Sequence, residues 1–154
     1  MNFAGLSSAL RASDKAEWAI GCRYHPNLKG APVPSGSIAM TLYPDMQELI
    51  AASDLLITDY SSCMFDMAIR GKPCILYIPD IKEYTANERA LYFNLNELPF
   101  PIALSMEELY ERIKDFDFDV YQSRIRAFLD SVGSYEDGQA TERVAKYIEG
   151  KCRI

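Results

Sequence analysis

The chain lacks most of the signals that mark common ligand-binding and exported proteins. Its 154 residues contain one histidine and one tryptophan. There is no G-x-G-x-x-G, which disfavours an ordinary dinucleotide site, and no Walker A lysine motif, which disfavours a P-loop NTPase. The N-terminal stretch MNFAGLSSALRASDK has no sustained apolar run. It reads as neither signal peptide nor membrane span, so a cytoplasmic location is expected. Cys22, Cys63, Cys74 and Cys152 include no C-x-x-C pair. That argues against a zinc site and for reduced thiols. An excess of positive charge is absent too: the formal net charge is -6. A phosphate-backbone binder needs a basic face, so no nucleic-acid partner is expected. A nucleotide, which needs only a few local donors, remains compatible. No repeat or low-complexity tract is visible, and nothing in the sequence calls for a metal or another cofactor.

What is present is the composition of one ordinary domain with a real core: 49% hydrophobic and 25% charged residues. The stretch from Tyr43 to Tyr77 reads as helix, buried strand, polar turn, helix, buried strand. Asp45 caps the first helix, with Glu48 as a capping-box partner. Leu55 to Thr58 is the compact strand. Ser61 or Ser62 caps the next helix, whose Phe65, Ala68 and Ile69 are expected to face the sheet, and Gly71 ends it. Cys74 to Ile78 is the following strand. Outside this stretch, a short helix is expected over 3–12 and strands over Trp18 to Tyr24 and Ile38 to Leu42. The Pro- and Gly-rich segment 27–37 is a loop. A helix over 106–114 is capped by Ser105 with Glu108, and helices follow over 119–131 and after Gln139. Alternating strands and helices imply parallel βαβ units. The expected architecture is α/β, a Rossmann-like parallel sheet of about four strands with helices on both faces.

Four groups of residues could carry chemistry. Asp59, Ser61 and Ser62 sit where a strand ends and a helix begins, the position at which open α/β sheets bind ligands. The hydroxyls and unpaired helix N–H groups suit a diphosphate, whereas Asp59 suits a ribose or substrate hydroxyl. Helix capping alone is the plainer alternative. Arg23 and His25, two apart on an extended segment, project to one side. They can present two donors to a phosphate, or a cation and a proton carrier to a reacting group; a loop histidine without a role is the alternative. Arg89, in an aromatic-rich segment, can reach a phosphate from a lid or merely pair with Glu83 or Glu88. Gly138 and Gln139 head the last helix and can form a second anion-binding turn or simply a cap.

Taken in order, Arg23-Tyr24-His25-Pro26, Tyr43-Pro44-Asp45-Met46, Ser53-Asp54, Thr58-Asp59-Tyr60-Ser61-Ser62, Glu83-Tyr84 and Asp137-Gly138-Gln139-Ala140 form a set more specific than any member. On that set the chain resembles the C-terminal half of the CDP-glycerol glycerophosphotransferases, the teichoic-acid primases and polymerases, from about Trp18 to Ile148. The resemblance implies a GT-B-like fold and transfer of glycerol phosphate from CDP-glycerol, or a related CDP-polyol, to a lipid-linked polyol-phosphate acceptor with release of CMP. It implies that residues 1–154 form one donor-binding domain, that His25 assists at the donor phosphates as catalytic residue, that Ser61 and Ser62 hold the diphosphate, and that Asp59 shapes the pocket. Arg23, Arg89, Gly138 and Gln139 are further expected substrate contacts. The family's N-terminal acceptor domain is missing, which implies a fragment, inactive alone; the full enzyme would lie on the inner face of the cell membrane. Two other readings stay open: half of another GT-B transferase with a different nucleotide-linked donor, and a non-catalytic nucleotide-binding or interaction domain.

Overall fold

The computed structural model describes residues 2–14, 16–25, 28, 30–87 and 92–152. Among the described residues, seven α-helices and five strands follow in the order α1 (Phe3–Asp14), β1 (Gly21–Cys22), β2 (Ile38–Ala39), α2 (Met46–Ala52), β3 (Leu56–Thr58), α3 (Cys63–Ile69), β4 (Cys74–Tyr77), α4 (Ile81–Asn87), β5 (Ile102–Ala103), α5 (Met106–Lys114), α6 (Phe118–Ser131) and α7 (Ala140–Cys152). Every strand pairing is parallel. One expectation is corrected: the strands form two sheets, β1-β2 and β3-β4-β5, rather than one. The first two strands are also far shorter than their apolar runs suggest.

The three-stranded sheet is the middle of a three-layer sandwich, and β4 is its centre. Successive strand residues point to opposite faces. Cys74, Leu76 and Ile78 enter one apolar cluster with Ile50 of α2, Met64 and Met67 of α3, and Tyr121 and Ile125 of α6. Ile75 and Tyr77 enter the other, with Leu6 and Leu10 of α1 and Leu109 and Ile113 of α5. Such two-sided burial explains why this strand reads as a continuous apolar run.

The helices obey their end signals. Asp45 and Ser105 accept from the N–H groups of Glu48 and Glu108 at 2.9 and 3.1 Å, and Asp117 caps α6 likewise. The capping boxes do not close, because Glu48 instead accepts from the Tyr43 hydroxyl at 2.7 Å and Glu108 from the Leu104 N–H at 2.8 Å. In α3 the buried stripe is Cys63, Met64, Met67 and Ala68, and Ile69 is 45% exposed. Of the expected face, Ala68 is buried and Phe65 packs half-buried against the same cluster, whereas Ile69 turns outward and Met64 and Met67 take the core positions.

Three side chains tie the layers together across Gly71, whose φ of +64° lets the chain turn sharply after α3. Tyr121 donates to the Lys72 carbonyl at 2.9 Å, and the Gln122 amide donates to the Gly71 carbonyl. Lys72 Nζ donates to the carbonyls of Ala51 and Ser53, at 2.8 and 2.6 Å. The ammonium thus satisfies orphan carbonyls at the negative end of α2. Lys72→Met keeps the aliphatic stem but leaves those carbonyls without this donor. We expect it to lower stability by about 2 kcal/mol, read as a lower urea midpoint with an unchanged slope.

Candidate functional site

The turn after β3 is where the structure concentrates exposed polar side chains on rigid supports. Asp59, Ser61 and Ser62 are all exposed. Ser62 occupies the N-cap position of α3 in a helical conformation and makes no side-chain cap bond. Ser61 Oγ accepts only a long bond, 3.5 Å, from the Cys63 N–H. The capping alternative therefore accounts poorly for this serine pair. As exposed hydroxyls, both can donate to an anionic oxygen, and the exposed carboxylate of Asp59 can accept from a hydroxyl.

What fixes this turn is Tyr60, a residue that sequence reasoning left unassigned. Its ring stacks on Tyr84 of α4, with centroids 3.6 Å apart and planes 11° from parallel. Its hydroxyl donates to Asp80 Oδ1 at 2.8 Å. The Asp80 carbonyl in turn accepts from the N–H groups of Glu83 and Tyr84, both at 2.9 Å, at the start of α4. The turns after β3 and β4 are thus bolted together. Burial, and then the hydrogen bond to Asp80, push the Tyr60 hydroxyl well above the usual phenol range, so it stays a donor at neutral pH. The signal was present in the Asp-Tyr-Ser-Ser turn and in the spacing of Asp80 and Tyr84 at i, i+4. Only the fold shows that the two meet.

A second group sits beyond β1. Arg23 Nη1 donates to the carbonyls of Met40 and Tyr43, at 3.0 and 2.5 Å. Its evident work is to tie β1 to the segment that follows β2. The Tyr24 N–H donates to Thr41 Oγ1 at 3.2 Å, and the Tyr24 hydroxyl to the Pro32 carbonyl at 3.0 Å. His25 is exposed, and its carbonyl accepts from the Leu28 N–H at 2.8 Å. Beside it lies an apolar groove of about 210 Å³, lined by Tyr24, Leu28, Val33, Ala39 and Leu42 among others.

The 137–139 turn is built differently. Gly138 has φ +79°. Its N–H donates to Glu136 at 2.9 Å, and the Gln139 N–H donates to Asp137 Oδ1 at 2.9 Å. An anion would have to displace these carboxylates. Among the described residues, no hydrogen bond joins this turn to the Asp59–Ser62 turn. Arg89 lies outside the described residues. No group of three or more His, Cys, Asp or Glu side chains able to hold a metal occurs among the described residues.

The sequence matches the family described as CDP-glycerol:poly(glycerophosphate) glycerophosphotransferase over residues 6–150. It is 34% identical over 125 residues to the teichoic acid poly(glycerol phosphate) polymerase of Bacillus subtilis (strain 168), covering 79% of this chain and 17% of that protein. It is 32% identical over 147 residues to the teichoic acid ribitol-phosphate primase of Bacillus spizizenii, covering 93% of this chain and 36% of that one. Among solved structures, the wall teichoic acid polymerase TagF superposes with a TM-score of 0.74 at 32% identity, over 94% of this chain and 38% of the TagF chain, in a His-to-Asn variant soaked with CDPG. The chain therefore spans between about a sixth and two fifths of the length of these relatives.

Two expected outcomes test the site's frame. Tyr60→Phe keeps the stack and removes the bond to Asp80; it should cost about 1 kcal/mol and shift the backbone amide resonances at the start of α4. Asp137 is held below its ordinary 3.8 by Arg143, which pairs with both its oxygens at 2.7 and 2.8 Å, and then by the Gln139 N–H. A lowered carboxylate contributes fully above 3.8 and loses its contribution as pH falls through the lower folded value. An NMR titration should find Asp137 titrating below 3.8, and Arg143→Gln should raise it.

Proposed function

This chain belongs to the CDP-glycerol:poly(glycerophosphate) glycerophosphotransferase family, and from that premise we propose that it is the donor-binding domain of a teichoic-acid-type polyol phosphotransferase. The observation that carries the reading is the fold-wide likeness to TagF, a polymerase studied with CDPG. The exposed serine pair after β3, held by Tyr60, supports it at the level of residues.

In this reading Ser61 and Ser62 donate to the diphosphate of CDP-glycerol, and Asp59 accepts from a donor hydroxyl. An acceptor hydroxyl attacks the phosphorus on the glycerol side. The bond from that phosphorus to the bridging oxygen breaks, and CMP leaves carrying the electron pair. His25 stabilises or protonates the leaving phosphate, which is where charge builds up. Arg23 holds the segment that presents His25, and Arg89 and the Gly138–Gln139 turn supply weaker contacts. Such a transfer is governed by positioning and charge stabilisation, and these residues supply both without a metal in the scheme. The acceptor, a lipid-linked polyol phosphate, is bound by a domain outside this chain, and that substrate brings the full enzyme to the inner face of the cell membrane. Among the described residues, no helix is long and apolar enough to cross a membrane.

The likeness to a ribitol-phosphate primase over 93% of the chain supports a variant of this reading in which the polyol phosphate is ribitol phosphate, beside the glycerol-phosphate enzymes that match at 34% identity. The same diphosphate contacts serve both donors.

The test is an NMR titration of the labelled chain with CDP-glycerol, with CMP and UDP-glucose as comparisons. A single domain of a two-domain cleft binds weakly, on the order of millimolar or about 4 kcal/mol. Shifts are expected at Ser61, Ser62 and His25, absent in the Ser61→Ala/Ser62→Ala double variant, with no turnover by the chain alone. Larger shifts with UDP-glucose would replace the reading by a nucleotide-sugar transferase. No shifts in a folded sample would remove donor binding from this chain.

A further inference from the structure

Of the motifs in the sequence, Glu83-Tyr84 has no part in the reaction described above. Tyr84 belongs to α4, a helix of seven residues. A helix that short is marginal in water on its own, so tertiary contacts hold it. Those contacts are few. Lys82, Glu83, Thr85 and Ala86 are exposed. Ile81 is half-buried against the cluster that contains Leu76 and Ile78. Tyr84, also half-buried, lies on the ring of Tyr60. Asp80 stands directly ahead of the helix, where a carboxylate ordinarily accepts from an N–H of the first turn. Among the described residues no N–H of α4 makes that bond. The Glu83 and Tyr84 N–H groups go to the Asp80 main-chain carbonyl, and Oδ1 takes the Tyr60 hydroxyl, 20 positions away in the chain. A local cap is thus given up for a long-range tie. Both ties, the stack and the hydroxyl bond, end on the one residue between Asp59 and Ser61. The turn restrains itself weakly: Ser62 makes no cap bond, and the Ser61 hydroxyl accepts only at 3.5 Å.

We propose that Tyr84 is a positioning residue for the Asp59–Ser62 turn: α4, docked through the Tyr60–Tyr84 stack and the Asp80 bond, holds the turn in its ligand-binding arrangement, and a ligand bound at the turn tightens the docking of α4 in return. Tyr84 touches no ligand in this scheme and acts through Tyr60. The return effect follows from linkage: a stack that favours the competent turn is favoured by the ligand by the same factor. An aromatic pair of this kind is worth roughly two- to tenfold in an equilibrium. The ligand class, a nucleotide carrying a diphosphate, rests on the donor reading above; the hold of α4 on the turn does not.

NMR on the labelled full chain tests both halves. Tyr84→Phe keeps the stacked ring and Tyr84→Leu removes it. Leucine is the better helix former, so a loss in Tyr84→Leu is not a loss of intrinsic helicity. Without ligand, Tyr84→Leu should shift and broaden the amide resonances of Asp59, Ser61 and Ser62, and Tyr84→Phe should leave them in place. With CDP-glycerol as the probe, the Kd of Tyr84→Leu should rise about fivefold, and that of Tyr84→Phe should stay within about twofold. Saturation with CDP-glycerol should slow amide exchange at Thr85 and Ala86 in the unaltered chain by a similar factor, and should not do so in Tyr84→Leu. A purely structural role would lower the urea midpoint while leaving the Kd of the folded chain unchanged, and that result would overturn the proposal. So would unmoved turn resonances in folded Tyr84→Leu, or equal weakening by both variants. If Tyr84→Leu does not fold, Asp80→Ala, which cuts only the hydroxyl bond, gives the same readouts. Failure of the unaltered chain to bind CDP-glycerol would remove the donor reading and the ligand half of this proposal with it. The turn resonances decide the positioning half by themselves.

Discussion

The structure depends on the burial of β4 from both sides. Cys74, Ile75, Leu76 and Ile78 are each at most 1% exposed, and their side chains alternate between two helical layers. A strand in that position has no solvent face, so its neighbours must supply hydrogen bonds along both edges and apolar cover on both faces. β3 and β5 supply the first. The second comes from α2, α3 and α6 on one side and α1 and α5 on the other. The polar turns at the ends of β3 and β4 inherit their positions from this arrangement.

That inheritance is what makes the candidate site rigid despite its exposure. A serine pair on a free loop would lose much of any binding energy to ordering. Here the turn leaves a buried strand, enters a helix with four core residues, and is clamped sideways by the Tyr60–Tyr84 stack and the bond to Asp80. Arg23 performs the matching task for the segment before His25, binding two carbonyls across the β1–β2 pair. The polar residues of the candidate site are therefore of two kinds: those exposed on the turn, and those spent on holding the turn still.

The far ends of the chain behave differently. Helix α7 carries no buried residue, and its Val144, Tyr147 and Ile148 are more than half exposed. The two-stranded sheet likewise leaves Ile38 half exposed. The apolar pattern was correctly read as helix and strand in both places, but a pattern specifies only a face suited to burial, and whether that face is covered is decided by tertiary packing.

The sequence alone determined the parallel α/β class, the helix caps at Asp45 and Ser105, the Cys74–Tyr77 strand and the serine-bearing turn after β3. Each is set by local rules: side-chain period, capping chemistry and turn residues within a few positions. The family resemblance was legible for the same reason, since its motifs are short and ordered along the chain. Only the tertiary structure decided which face of α3 is buried, that Arg23 is spent on carbonyls, that Lys72 closes α2 and that Tyr60 meets Asp80 and Tyr84. It alone divided the strands into two sheets. These outcomes join residues that are 17 to 24 positions apart or whole layers apart, and no local propensity encodes which distant partner fills a given donor or covers a given face.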